Sequence, residues 1–480
     1  MIAIKNYISG CFVEPKTGNY LEVINPATEK IIARAPDSGP EDADAAVQAA
    51  QEAFDGWAKT PTETRAKILH NIANLIDLHR EELAKLEALD SGKPYSLAYE
   101  KEIPRAAQNF RYFASAISTG QSECFPMGEQ GFNYVLRPAL GPVVCISPWN
   151  LPLYLFSWKI APALAAGCTV IGKPSELTPL TAFKLSEICK EAGLPPGVLN
   201  IVHGYGAKIG EALTRNPAVK AISFTGGTET GKKIMGGIRD KFLPVSLELG
   251  GKNPALVFKD CDLELTVNEL IRASFTNSGQ ICLCASRLYI EEPIYEAFKR
   301  LFLAKAKMLS VGDPFQTETA LGPLISREHR LKVKGFVDRA EQNQCSLLLD
   351  GRSKMSHMQG QGFYFGPTII EGAALEDPIN QQEIFGPVVT LASFKDFDEA
   401  IRYANGTPYG LSATVWTKDL STAHKVAYQL DVGIVWINSW MVRDLRTPFG
   451  GMKASGLGRE GGNEALKFFT ETKNVFATFP

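Results

Sequence analysis

The 480-residue sequence predicts an α/β protein of two or three domains, and three observations carry that reading. The length exceeds one ordinary core of ~100–200 residues. From Gly141 onward, short apolar runs alternate with helix-patterned segments, as in parallel sheets covered by helices on both faces. After Gly251 a second such series begins.

The N-terminal part reads as helical after a short strand-like start. In "SGPEDADAAVQAAQEAFDGW", Ser38 with Glu41 has the spacing of a capping box. In "TPTETRAKILHNIANLIDLH", Thr60 is the expected cap, Pro61 the first helical residue and Glu63 the residue closing the box. Ile68, Leu69, Ile72, Leu75 and Ile76 then fall at helical spacing, the face of a layer that covers a sheet.

The first α/β series runs "PVVCIS" (strand), Trp158 to Ala166 (helix), "CTVIGK" (strand) and "TPLTAFKLSEICKEAG" (helix). "GVLNIVHG", "KAISFTG" and "PVSLEL" are further strands, separated by helices in "AKIGEALTRN" and "TETGKKIMGGI". The second series comprises "PALVF", "LELTVNELIRASFT", "RLYI", "IYEAFKRLFLAKA", "TIIE", "VVTLASF" and "TVWT". Between Glu123 and Leu140, "ECFPMGEQGFNYVLRPAL" reads as a projecting hairpin.

Composition narrows the function. Fifty basic against 52 acidic residues, with no basic stripe, argue against a nucleic-acid partner. The uncharged run Pro142–Trp158 is interrupted by Pro148 and Pro152 and falls short of the ~20 residues of a spanning helix, so no membrane segment is expected. Nine cysteines without CxxC spacing fit a reducing cytoplasm. Six dispersed histidines without HExxH give no metal site.

Four features carry chemistry. Gly204, Gly206 and Gly210, then Gly226, Gly227 and Gly231, each lie between a strand and a helix. Either set alone reads more readily as a plain turn than as a phosphate cradle, but two such turns in one parallel sheet, with helix N-termini offering free N–H groups to phosphate, point toward a nucleotide. Lys173 and Glu176 in "GKPSE" form either a solvated loop pair or ribose contacts. Glu248 sits in the apolar strand "PVSLELGGK", as a salt-bridged structural acid or as a base whose pKa burial raises. In "NSGQICLCASR", Cys282 follows small residues that leave room for a ligand, and a thiolate attacks carbonyls well. Any one cysteine is otherwise a small buried hydrophobe. Asn150 in "SPWN" supplies an amide donor for a developing oxyanion.

Over its whole length the chain resembles the NAD(P)-dependent aldehyde dehydrogenase superfamily. "SPWNLP", "GKPSELTP", "FTGGTETG", "LELGGKNP", "SGQICLCASR", "EIFGPV" and "PFGGMKASGLGREGG" occur in the family's order. The resemblance implies an aldehyde-dehydrogenase-like fold: a Rossmann-type cofactor domain over 1–121 and 142–250, and an α/β catalytic domain over 251–445. The segments 122–141 and 446–480 would form a small β-hairpin oligomerisation element and bridging elements.

The resemblance also implies roles. Cys282 is the nucleophile, Glu248 the base for the hydrolytic water and Asn150 the oxyanion donor, while Cys284 has no catalytic counterpart. For the cofactor it implies Ile146, Ser147, Pro148 and Trp149 after one strand, and Lys173, Ser175 and Glu176 after the next. Gly206 and Gly210 follow a third. Phe224, Thr225, Gly226, Gly227 and Thr230 follow a fourth, Leu249 a fifth, and Glu383 and Phe385 approach the nicotinamide ribose. The cofactor implied is NAD, with NADP the alternative; a carboxylate at Glu176 would repel a 2′-phosphate. Many members have Ser where this chain has Gly227, which keeps the N–H and loses a side-chain donor. The partners implied are a small-molecule aldehyde and further copies of the chain, as homodimer or homotetramer.

Within the superfamily, "ISPWNLPLYLFSWKIAPALAAG" and "CLCASR" look most like the 2-aminomuconic semialdehyde dehydrogenases of tryptophan catabolism (kynurenine pathway), with the 2-hydroxymuconic ones beside them. Arg111, on an expected helix Pro104–Ile117, and Arg459 are the candidate contacts for a substrate carboxylate, because guanidinium binds carboxylate through two parallel bonds. Arg443 and Arg446 are further candidates, and a structural ion pair is the alternative for each. The rival readings are an aromatic or betaine aldehyde as substrate, or a catalytically idle, crystallin-like relative.

Overall fold

The computed structural model describes residues 2–356 and 361–479. Its strands form two large sheets, one for each of the two series. The eight-stranded sheet runs in the order Gly456–Leu457, Val245–Glu248, Ala221–Thr225, Pro142–Ile146, Thr169–Lys173, Leu199–Ile201, Asn6–Ile8 and Cys11–Val13. Its five central strands are parallel and its outer pairs antiparallel. Four of the five are buried along their whole length, which is why they read as continuous apolar runs rather than as alternations.

Chain order places the switch in direction between Pro142–Ile146 and Ala221–Thr225. From the first, the chain moves outward through Thr169–Lys173 and Leu199–Ile201; it then returns to add Ala221–Thr225 on the other side. In open sheets of this kind, ligands bind at the carboxyl ends beside that switch. The stretches "SPWN" and "GGTETG" leave the sheet there.

The seven-stranded sheet has the order Ser346–Leu349, Thr368–Glu371, Val388–Phe394, Ala285–Glu291, Asn253–Val257, Ser412–Trp416 and Ile434–Ile437. All pairs are parallel except the first. The hairpin strands Cys124–Pro126 and Phe132–Leu136 form a three-stranded sheet with Lys473–Ala477. The helix Gly462–Phe468 sends Ala465 into the core of the first sheet's helix layer.

Several local expectations shift. The first long helix is Pro40–Ala58, and Gly39 caps it, its N–H donating to Asp42 Oδ2 at 3.0 Å. Ser38 instead receives the Asn6 amide at 2.8 Å, so a tertiary contact takes the hydroxyl from the cap. The second helix is Thr62–Leu78 with Pro61 as its cap, and the Thr60 hydroxyl donates back to Gly56 O at 2.8 Å. Its apolar face is as expected: Leu69, Ile72 and Ile76 are fully buried. The helix expected from Trp158 begins at Pro152, because proline is favoured in a first turn. The glycines Gly206 and Gly210 lie within a π-helical turn, Gly206–Gly210, ahead of a short helix Glu211–Arg215.

Candidate active site

Cys282 sits in the loop between the helix Leu263–Phe275 and the strand Ala285–Glu291. The loop cannot be built from ordinary turns. Asn277 and Ser278 both have positive φ, 53° and 55°, which side-chain-bearing residues rarely adopt. Local bonds hold them: Ser278 Oγ donates to Gly322 O at 2.7 Å, and the Gln280 amide donates to Asn277 O at 3.1 Å. Gln280 Oε1 in turn accepts from Ile325 N at 3.0 Å. Gly279 has φ 72°, and a Cβ there would stand 2.2 Å from Gly386 O, so only glycine fits. The "NSGQ" sequence is therefore a mould for the thiol that follows.

The two thiols diverge. Asn253 Nδ2 donates to the carbonyls of both Cys282, at 2.6 Å, and Cys284, at 2.9 Å. Cys284 is buried with its sulfur toward Thr276 O at 3.9 Å, whereas Cys282 is half-buried. Burial, together with the Glu383 and Glu248 carboxyls, pushes the Cys282 thiol well up.

Asn150 is 3 % exposed, and one of its amide hydrogens is spent on Gln280 O at 3.0 Å. Glu248 ends the strand Val245–Glu248; neither carboxyl oxygen finds a hydrogen-bond partner among the described residues. Its pKa is raised well above the ordinary value by burial, then by the nearby Glu460 carboxyl. Lys159, Arg443 and Arg459 oppose that rise. Glu460 is anchored by Lys159 Nζ at 2.6 Å and by Ser223 Oγ at 3.1 Å. The Lys159–Glu460 pair thus forms a buried polar group beside Glu248, which sequence reading missed because its partners lie 301 residues apart.

The carboxyl ends of the five parallel strands carry the residues singled out for a dinucleotide. Ile146 ends one strand, and Ser147, Pro148 and Trp149 follow, with Ser147 Oγ buried and without a partner among the described residues. Lys173 ends the next, its Nζ 3.2 Å from Glu176 Oε2, and Ser175 Oγ accepts from Leu177 N. Phe224 and Thr225 end a further strand; Gly226 and Gly227 open the helix Thr228–Gly237, in whose first turn Thr230 lies. A Cβ at Gly226 would meet the Phe224 ring at 2.4 Å. Leu249 follows Glu248 and packs against Gly231. Gly206 and Gly210 have open space where side chains would stand.

Trp149 stands edge-on to Phe385 with ring centroids 5.2 Å apart, and Glu383, two residues before Phe385, accepts through Oε1 from Gly251 N at 3.0 Å. A helix N-terminus, an ammonium with a carboxylate, and an aromatic wall fit a dinucleotide's phosphates, ribose and ring.

The four candidate arginines differ in their surroundings. Arg111 lies on Ile103–Ser118, but its guanidinium donates to Asp77 Oδ2 at 2.8 Å and to Asn74 Oδ1 at 3.2 Å on the helix Thr62–Leu78. The surface ion pair takes the charge that was expected at the substrate. Arg459 donates through Nη1 to the carbonyls of Gly451 and Gly458, and is felt by Glu248. Arg446 pairs with Asp444 at 2.6 Å in solvent. Arg443 is the candidate that meets the cleft: it lies 3.9 Å from the Phe449 ring centroid and 5.2 Å from that of Trp158. Its charge opposes the rise of both the Cys282 and the Glu248 pKa.

Its companion is Arg105, which the sequence analysis passed over in the same stretch "IPRAAQNFRYFA". Arg105 lies 5.6 Å from the Tyr154 ring centroid, and its Nε and Nη2 are buried with no hydrogen-bond partner among the described residues. Burial lowers its pKa and the Arg443 charge adds to that, while the Tyr154 phenol and the Asp444 carboxylate oppose the fall.

A switch-point cleft with a half-buried thiol, a buried carboxyl and an amide donor at its floor defines an enzyme of carbonyl chemistry. Residues 12–475 match the Aldehyde dehydrogenase family. The chain is 44% identical to a 2-aminomuconic semialdehyde dehydrogenase of Danio rerio, over 99% of this chain and 98% of the relative. It is 45% identical to a 2-hydroxymuconic semialdehyde dehydrogenase of Pseudomonas sp. (strain CF600), over 99% of both chains. The solved NAD+ complex of an aldehyde dehydrogenase from Bacillus cereus superposes with a TM-score of 0.96 at 38% identity, covering 100% of this chain and 97% of that one. The chain belongs to the aldehyde dehydrogenase family, and it is an oxidoreductase acting on aldehydes.

Proposed function

We propose that this protein oxidises a muconic semialdehyde to its carboxylic acid with NAD, through a thioester on Cys282, the aldehyde carrying a carboxylate at its far end. One observation carries the substrate class: half-buried Arg105, whose Nε and Nη2 are out of solvent with no hydrogen-bond partner among the described residues, stands near enough to the half-buried Arg443 guanidinium to be repelled by it. Two like charges brought together where water is partly excluded are costly, and the exposed Asp444 carboxylate offsets that only in part, so a substrate carboxylate between them would be favourable. Names such as 2-aminomuconic and 2-hydroxymuconic semialdehyde dehydrogenase among the relatives support the same class, with the amino form the first choice.

Each residue then has a step. Sγ of Cys282 forms a bond to the aldehyde carbon, and the carbonyl electron pair moves onto oxygen. The thiol proton passes to water as that bond forms. The free N–H of Asn150 donates to the oxyanion, a contact worth about 2.7–4 kcal/mol in comparable sites. The chemistry NAD supplies when bound is hydride acceptance. Lys173 and Glu176 would hold its adenosine ribose, the first turn of Thr228–Gly237 its pyrophosphate, and Glu383 with Phe385 its nicotinamide end. Glu248 takes a proton from water, hydroxide adds to the thioester, and the C–S bond breaks to release acid and thiolate. The Lys159–Glu460 pair is placed to tune that proton transfer electrostatically.

The cofactor domain spans 1–121 and 142–250 and the nucleophile domain 251–445. A homo-oligomer is supported by the half-exposed Phe125, Phe476 and Phe479 on or beside the three-stranded sheet, and a cytoplasmic site by nine cysteines that are all free. The deciding experiment is a panel of kcat/KM values for 2-aminomuconic and 2-hydroxymuconic semialdehydes against neutral and betaine aldehydes, with NAD and with NADP. Preference for the carboxylated aldehydes with NAD is expected; equal or better turnover of neutral aldehydes rejects the substrate class.

A further inference from the structure

Behind Asn150 lies a charged cluster for which the proposed reaction has no direct use. Lys93, Glu87 and Glu102 are at most 4 % exposed. They come from three separate elements: Glu87 from the helix Arg80–Ser91, Glu102 from the π-helical turn Ala98–Glu102, and Lys93 from the link between them. Lys93 Nζ contacts Glu87 Oε1 at 3.4 Å and makes a short bond to Glu102 Oε2. Its third partner is the main-chain carbonyl of Asn150, at 2.9 Å.

Three charges placed out of water are unfavourable by themselves, and apolar side chains of the same volume would often be at least as stable. Their geometry, however, converges on one peptide. The Asn150 carbonyl accepts from Lys93 Nζ and, at 3.1 Å, from Asn277 Nδ2. Glu87 Oε2 accepts from Leu153 N at 3.4 Å, tying down the first turn of the helix that follows. The carbonyl of Asn150 is thus held by two donors, and its side chain is fixed by Gln280 O, which leaves one of its two N–H hydrogens free. A π-helical turn inserted next to such a grip is a common mark of a functional constraint.

We propose that Lys93 is a positioning residue: held by Glu87 and Glu102, it fixes the Asn150 peptide and thereby aims the free amide hydrogen at the oxyanion. The proposal rests on the reading of Asn150 as the oxyanion donor. It explains why an ammonium is used: a lysine reaches two carboxylates and a carbonyl with its three donors, which no apolar residue does.

The test is a double-mutant cycle with Lys93→Met and Asn150→Ala. The readout is the single-turnover rate of NADH appearance with saturating NAD, using 2-hydroxymuconic semialdehyde and, in parallel, propionaldehyde. Misaiming a catalytic group by about 1 Å costs up to ~100-fold, so Lys93→Met is expected to slow the step roughly 10- to 100-fold while NAD binding, followed by tryptophan fluorescence, is unchanged. In the Asn150→Ala background the same change should cost less than ~2-fold, since the two act as one unit. Equal losses in both backgrounds overturn the proposal and leave Lys93 a purely structural residue. A full rate in Asn150→Ala alone overturns the reading of Asn150 itself, and the proposal with it. Where Lys93→Met does not fold, Glu102→Gln, which keeps the shape and removes one anchor, is put through the same cycle with the same criterion.

Discussion

The Arg443 guanidinium donates to Tyr154 Oη at 2.8 Å, and Arg105 stands over the ring of that same tyrosine. One phenol therefore organises two cations, one from the helix before the hairpin and one from a loop beyond the second sheet.

Charged and neutral aldehydes should separate on this pair. A charge-assisted hydrogen bond is worth ~1.5–3 kcal/mol, so Arg105→Met or Arg443→Met should lower kcat/KM for a muconic semialdehyde roughly 10- to 150-fold. A neutral aldehyde of similar size should lose far less. Parallel losses for both substrates would show that the arginines serve the fold alone.

Arg111→Ala should leave kcat/KM for every aldehyde close to that of the parent protein. Its partners are Asp77 and Asn74, and an exposed ion pair contributes ~0.2–1 kcal/mol. A selective loss with the carboxylated substrate would restore it to the substrate site.

The two thiols should differ outright. Cys282→Ala should abolish steady-state NADH formation while NAD still binds, and Cys284→Ala, whose sulfur faces Thr276 O, should keep most activity. Kinetics and a cofactor-binding titration on both variants decide this.

Glu248 gives a pH signature. Burial and Glu460 raise its folded pKa, so the carboxylate needed as base is lost as pH falls through a value above the usual glutamate range. Steady-state turnover should fall on that limb while the NADH burst persists. Glu248→Gln should show a burst of up to one NADH per site, then a stall with an acyl-enzyme visible by mass spectrometry. A missing burst would place Glu248 before hydride transfer.

Much of this was legible in the sequence because it is local. The buried strands announce themselves as apolar runs, and the "NSGQ" turn and the strand-end glycines sit next to what they position. Residues chosen by long-range packing were not. Arg105 and Arg111 share one stretch and one helix, and periodicity alone does not say which side faces Thr62–Leu78 and which faces the cleft. The caps at Ser38 and Thr60 were displaced for a similar reason: a short side chain has several partners within reach, and tertiary contact decides among them. Lys93 reaches a carbonyl 57 residues away, and nothing in "SGKPY" indicates it.

The strand Phe132–Leu136 has Cys124–Pro126 on one side and Lys473–Ala477 on the other, with Asn133 and Asn474, 341 residues apart, joined by a side-chain bond at 3.1 Å. At ~5–20 residues per second of synthesis, that separation corresponds to roughly 20–70 s on the ribosome. For that interval one edge of the hairpin is an open template for any passing strand. The nascent chain therefore has a window of vulnerability to aggregation that ends only when the strand Lys473–Ala477 emerges.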